Sequence, residues 1–143
     1  MKYHFKTHKE GKGYWAECLE LSGCMTQAHS IEELKKNMEE ALNLYLDEPA
    51  DSKLLLPLPK RNLRGQNITS IAVNPQIAFA FYLRHLRLSH KMTQKEVANK
   101  MGFKNLYSYQ RLEISDTANP QLSTLVLIKK VFPEFDIEEI LSA

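Results

Sequence analysis

The chain has 143 residues, 43% of them hydrophobic and 25% charged, with a formal net charge of +2 and two cysteines. That length suits one medium domain or two small ones, and the balance of apolar and charged residues excludes wholesale disorder. The start, MKYHFK, lacks the continuous apolar core of an export signal. No apolar run approaches the ~20 residues of a membrane-spanning helix, so the expected location is the cytoplasm, with no membrane contact.

Taken in chain order, Lys2 to His8 alternates. Tyr3, Phe5 and Thr7 fall on one face and Lys2, His4, Lys6 and His8 on the other, the period of a half-buried strand. Gly11-Lys12-Gly13 is a turn signal. Tyr14 to Cys18 is a second strand, and Cys24 to Ala28 a third after Ser22-Gly23. Ser30 opens a helix, with Glu33 placed for a capping box. Ile31, Leu34, Met38, Ala41, Leu42 and Tyr45 form its apolar stripe, and Pro49 marks its end. Residues 50–67 carry Pro57 and Pro59 and read as an extended connector. Ile68 to Val73 is β-branched and apolar, a fourth strand that can return to the sheet. The front half is therefore an antiparallel β-β-β-α-β unit with one sheet face and the edges open to a partner.

Asn74-Pro75 starts a second helix, and Ile77 to Leu88 is apolar nearly all round, so this helix is expected to be buried on more than one side. The fold class expected is α+β, with 1–73 as the sheet unit and 74–143 as an all-α unit.

Charge is unevenly shared. Residues 1–60 hold 8 Lys against 10 Asp and Glu, and residues 61–143 hold 11 Lys and Arg against 7. Arg84, Arg87, Lys91, Lys95, Lys100, Lys104 and Arg111 lie in a stretch whose one acid is Glu96. Such a field suits a polyanion, although a solvated helical face reads the same by charge alone. Cys18 and Cys24 leave a disulfide open, but without an export signal free thiols are expected. They and His29 lack the paired spacing of a zinc site, so no metal and no cofactor is expected.

The stretch "LRLSHKMTQKEVANKMGF" resembles the helix-turn-helix of the Cro and Xre repressor family. The resemblance rests on Leu86-Arg87, Met92-Thr93-Gln94, Val97-Ala98, Met101-Gly102, Leu112-Glu113 and Asn119–Phe132. Thr93 would cap the first helix of the motif, Ala98 lets two helices cross closely, and Gly102 ends it in the left-handed region. The turn after Gly102 is longer than the family's by a residue, which puts Asn105 at the cap of the recognition helix. Tyr109 and Leu112 then face the core, Leu106 partly so, while Tyr107, Ser108, Gln110 and Arg111 point outward. The resemblance implies operator DNA binding, with Gln94 on a phosphate and Tyr107, Ser108, Gln110 and Arg111 at base edges. Lys95, Lys104 and Asn105 complete that surface. It also implies a partly buried ion pair between Arg87 and Glu113. Symmetric operators need a homodimer, or a higher oligomer built from it. The same fold serves elsewhere as a protein-binding module.

The front half resembles the HicB antitoxin family, through Gly13-Tyr14-Trp15, Gly23-Cys24-Met25-Thr26, Ser30-Ile31-Glu32-Glu33 and Glu39-Glu40-Ala41. Members have a partial ribonuclease H-like front domain that binds a HicA-type toxin, an mRNA-cleaving ribonuclease, and a back domain that binds the operon's operator. The resemblance implies that this sheet covers the toxin's chemistry and performs none, so no catalytic residue and no enzyme activity is expected. The strand Lys2–His8 holds no acid, against the several carboxylates that a metal-dependent nuclease needs. Contact with the toxin is expected around Tyr14, Trp15 and Cys24, the solvent side of the helix and the segment Leu54–Pro59, although Trp15 reads equally as core. The competing reading is a stand-alone repressor whose front domain senses a small molecule.

Overall fold

The computed structural model describes residues 1–142. It is α+β: a four-stranded antiparallel sheet and six helices. In chain order these are β1 (Lys2–Glu10), β2 (Gly13–Cys18), β3 (Met25–Ala28), α1 (Ile31–Leu46), β4 (Ile68–Ala72), α2 (Pro75–Ser89), α3 (Gln94–Lys100), α4 (Leu106–Gln110), α5 (Leu122–Val131) and α6 (Ile137–Leu141). A single 3-10 turn, Arg111–Glu113, follows α4.

The strands lie in the order β3-β2-β1-β4, so β3 and β4 form the edges. Gly11, at φ +58°, supplies the left-handed residue of the turn from β1 to β2. β1 runs further than its alternation predicts, to Glu10, which pairs with Gly13. One acid therefore does lie on this strand, at its far end. The register puts Phe5 opposite Cys18, Thr7 opposite Ala16 and Tyr3 opposite Ile71. Those side chains line the face under α1, where Tyr3, Phe5 and Ala16 are fully buried.

The opposite face is open only in part. His4 was expected on the wet side, yet it is buried beneath Glu20. Glu20 accepts from the His4 backbone N–H (2.9 Å), lies 2.8 Å from His4 Nδ1 and accepts from the Lys60 N–H (3.1 Å). The loop after β2 and the connector thus close over one end of this face.

Ser30 caps α1 by accepting from the Glu33 N–H. The Glu33 carboxylate returns to the N–H of His29, one residue before the position that a capping box uses. Leu34, Met38, Leu42 and Leu46 are buried, whereas Ile31 is exposed at the helix entrance and does not join the stripe.

The connector is extended but not free. Leu56 is buried, its carbonyl lies 2.9 Å from His85 Nδ1 on α2, and the Pro57 carbonyl accepts from the Tyr3 hydroxyl (2.9 Å). Arg61 pairs with Glu139 on α6 and sits 4.0 Å from Asp136. Further ties join Ser115 to Asp47 (2.7 Å) and the Asn74 N–H to Asn43 (2.8 Å). The buried apolar residues of sheet and helices accordingly form one continuous cluster, with α2 in contact with both α1 and α6. Ala78 to Arg84, Leu86 and Arg87 of α2 are all buried, which explains why its sequence is apolar nearly all round.

Candidate nucleic-acid and protein-binding surfaces

The helical half is organised around one carboxylate. Glu113 is 1% exposed. It accepts from Arg87 Nε at 2.7 Å and Arg87 Nη2 at 2.9 Å, a bidentate pair, and from the Tyr109 hydroxyl. Gln94 Nε2 donates to it at 3.3 Å, and Arg84 Nη2 donates to the Glu113 backbone carbonyl at 2.8 Å. Arg87 Nη1 also donates to the Met92 carbonyl (3.1 Å). The expected Arg87–Glu113 pair is therefore present, with Glu113 fully buried and Arg87 nearly so. It ties α2, the loop before α3, α3 and α4 to one point. Burial depresses the Arg87 pKa, but the hydrogen bond and charge of Glu113 outweigh it and raise the value overall. Burial first, then the Glu113 charge, pushes the Tyr109 phenol far above its ordinary range.

This cluster sets what faces outward. Thr93 caps α3, Asn105 caps α4, and Gly102 adopts φ +78° between them. Tyr109 and Leu112 are buried as the spacing predicts, and Leu106 is 38% exposed. Tyr107 is 64% exposed, and the Arg111 guanidinium carbon sits 5.8 Å from its ring centroid, within cation–π range. Lys95, Lys104, Asn105 and Arg111 are exposed.

Four of the expected DNA-contacting side chains, Gln94, Asn105, Ser108 and Gln110, are already engaged within the protein. Gln94 is half-buried between Glu113 and Gln110, whose Nε2 donates to Gln94 Oε1 at 3.2 Å. Gln94 is thus tied to Glu113 and Gln110 within the protein. The Ser108 hydroxyl donates to Asn105 Oδ1 at 2.8 Å. The polar groups left facing solvent at this surface are Lys95, Lys104, Tyr107 and Arg111, with the Gln110 side chain partly available.

In the front half the register separates the three expected contact residues. Tyr14 lies opposite Lys9 and Ala28 and packs against the core on the α1 side. Cys24 is 3% exposed and interior, so it offers no surface. Trp15 alone lies on the open face. Its ring stacks on His8 at 4.1 Å with an 18° tilt, and it lies opposite Gln27. Glu17 Oε1 is 3.7 Å from His8 Nε2, an atom that has no hydrogen-bond partner. Met25, 55% exposed, completes the patch. Two cavities of about 370 Å³ each adjoin it, walled by Glu10, Trp15 and Gln27 together with Met25 or His29. They mix polar and apolar walls, as a contact surface does and a deep apolar pocket does not.

Sequence reasoning missed Arg84, Tyr109 as a hydrogen-bond donor, His8 and Met25. Arg84 and Arg87 stand three apart on α2, and Tyr109 and Glu113 stand four apart, so helical spacing held the signal for the first two. For His8 and Met25 only the strand register could reveal the neighbourhood of Trp15. Among the described residues, no group of three or more His, Cys, Asp or Glu is placed to hold a metal ion. No helix among the described residues is long and apolar enough to cross a membrane.

No family model matches the chain. A UPF0150 protein of Helicobacter pylori is 36% identical over 72 residues, a stretch that makes up 50% of this chain and 89% of that protein. The chain belongs to the UPF0150 family. That family is related to HicB-like antitoxins. The similarity covers half of the chain, so what UPF0150 membership brings applies to that half, and the remainder rests on its own geometry.

Proposed function

We propose that this protein is a HicB-type antitoxin that binds and inhibits a HicA-type mRNA-cleaving toxin through residues 1–73, and represses its own operon by binding operator DNA through residues 74–143. The observation that carries the reading is the pairing, on one chain, of two outward surfaces of different character. One is an open sheet face centred on Trp15, His8 and Met25. The other is a helix-turn-helix surface presenting Lys95, Lys104, Tyr107 and Arg111. An aromatic at the middle of a partly apolar patch is the chemistry of a protein-binding hot spot. Exposed cations beside a capped recognition helix are the chemistry of groove and phosphate contact.

UPF0150 kinship with HicB-like antitoxins supports the first assignment. The acidic balance of residues 1–60 supports a partner that is basic because it binds RNA. On this reading the protein is not an enzyme and needs no cofactor. Operator recognition would use a homodimer, and the exposed stripe of Leu122 and Val126 on α5 is the surface we assign to it. The mixed polar walls of the cavities beside Trp15 favour a protein partner over the small-molecule-sensing alternative.

The test is an RNA-cleavage assay with a HicA-type toxin, sought as a small basic protein encoded by an adjoining gene. The full chain should form a stable complex with that protein and suppress cleavage in proportion to the fraction bound. A folded full chain that neither binds it nor protects RNA would remove the antitoxin reading and bring the small-molecule repressor forward.

A further inference from the structure

Cys18 and Cys24 have no role in either surface. Both are free and buried, at 6% and 3% exposed. The β2–β3 register pairs Glu17 with Met25. The next pair outward is therefore Cys18 and Cys24, and the Cys18 N–H donates to the Cys24 carbonyl at 2.8 Å. Residues facing each other across an antiparallel pair have Cα atoms about 4.5–5.5 Å apart, and the Cys24 N–H turns to the Leu21 carbonyl as the loop begins. That lies inside the window of about 4.4–6.8 Å that a disulfide requires. From this juxtaposition we infer that Cys18 and Cys24 are a dithiol site, closed to an intramolecular disulfide by small oxidants of the disulfide class.

The surroundings favour reaction at Cys18. The neighbouring Cys24 side chain lowers the Cys18 pKa, against the opposing effects of burial and the Glu20 charge, while Cys18 and burial together raise that of Cys24. Glu20 Oε1, 3.9 Å from Cys18 Sγ, is placed to accept the departing proton. The Cys18 thiolate attacks one sulfur of the small disulfide, forms a mixed disulfide and releases one small thiol. Cys24 then loses its proton and attacks the Cys18 sulfur. The protein disulfide forms and the second small thiol leaves. Two protein thiols are oxidised by two electrons, and one small disulfide is reduced to two thiols. Access runs through the loop between the two strands, where Leu19, Ser22 and Gly23 are exposed. That loop also carries Glu20, which holds β1 and the connector through His4 and Lys60, so the cross-link would fix the end of the sheet to which the connector is tied.

The experiment treats the full chain with oxidised glutathione under native conditions and in denaturant, then follows intact mass and free thiols. The native chain should lose two hydrogens in mass and both titratable thiols, recover them with dithiothreitol, and close at least about tenfold faster than the denatured chain, because the fold holds the sulfurs together. Cys24→Ser should stop at a single glutathione adduct on Cys18, since the resolving thiol is gone. Three results would overturn the inference: both thiols persisting in the native chain, adducts accumulating on both cysteines without closure, or cross-links between chains in place of the internal one.

Discussion

Arg87 and Glu113 illustrate how much one buried residue decides. The pair contributes little net stability, because two charges had to leave water to make it. Removing one partner is a different matter, since Glu113 would keep its charge at 1% exposure with only neutral donors and the offset Arg84, whose Nε is 3.7 Å away and has no hydrogen-bond partner. Arg87→Ala should therefore cost about 3–5 kcal/mol in urea unfolding. A variant that unfolds like the parent would show that Glu113 finds another partner. The same cluster predicts behaviour in alkali. The folded-state pKa values of Tyr109 and Tyr3 are raised, in each case first by burial. Their contribution is present below the ordinary phenol value of about 10 and is lost as pH climbs above it, because the unfolded chain releases protons that the folded one retains. Stability should fall steadily above that pH, and Tyr109→Phe should flatten the fall. Arg111, by contrast, is exposed, with its guanidinium beside the Tyr107 ring. Arg111→Ala should leave the melting curve alone and weaken operator binding by about 1–3 kcal/mol in a gel shift at fixed salt.

Among the elements, α1 and the helix caps were the most legible, since Ser30, Thr93 and Asn105 each cap the helix that their positions predict. Apolar spacing and capping are local properties, and local properties are written in order along the chain. The faces of the sheet were less legible. The alternation of β1 puts His4 on the face away from α1, as the register does, but nothing in β1 tells that Glu20 and Lys60 will cover that face there and bury it. Likewise Tyr14 and Trp15 are neighbours in sequence and lie on opposite faces, and only the register says which is which. The connector was read as extended, and its docking on α2 depends on a contact between Leu56 and His85 that are far apart in sequence. Burial lowers the His85 pKa, with the Leu56 carbonyl opposing it in part. Protonation is thus disfavoured in the folded state. This contribution to stability is whole above the ordinary imidazole value of about 6.5 and is lost as pH falls through the depressed one. The protection of the residue 54–60 amides against hydrogen exchange, taken relative to the intrinsic rate at each pH, should fall on acidification below that value in the parent, and the acid sensitivity should be absent in His85→Gln. Equal acid sensitivity in both would place the titrating group elsewhere.

At the scale of the molecule, the sheet and the helices share one apolar cluster while their outward surfaces stay separate. This arrangement lets each surface be altered alone. On the proposal that the chain dimerises through α5, Val126→Glu on its exposed face should lower the mass read by light scattering from that of a dimer to that of a monomer without lowering the melting temperature. An unchanged mass would move the dimer contact off α5. The central claim is that the Trp15 face holds a toxin and the Arg111 face holds DNA. The most direct measurement is a pair of assays, toxin inhibition and operator binding, run on full-length Trp15→Ala and Arg111→Ala. If Trp15 is a hot spot, its truncation should weaken toxin binding by about 2 kcal/mol or more and leave operator binding intact, while Arg111→Ala should do the reverse. Loss of both activities in either folded variant, or of neither in Trp15→Ala, would contradict the assignment of two functions to two separate faces.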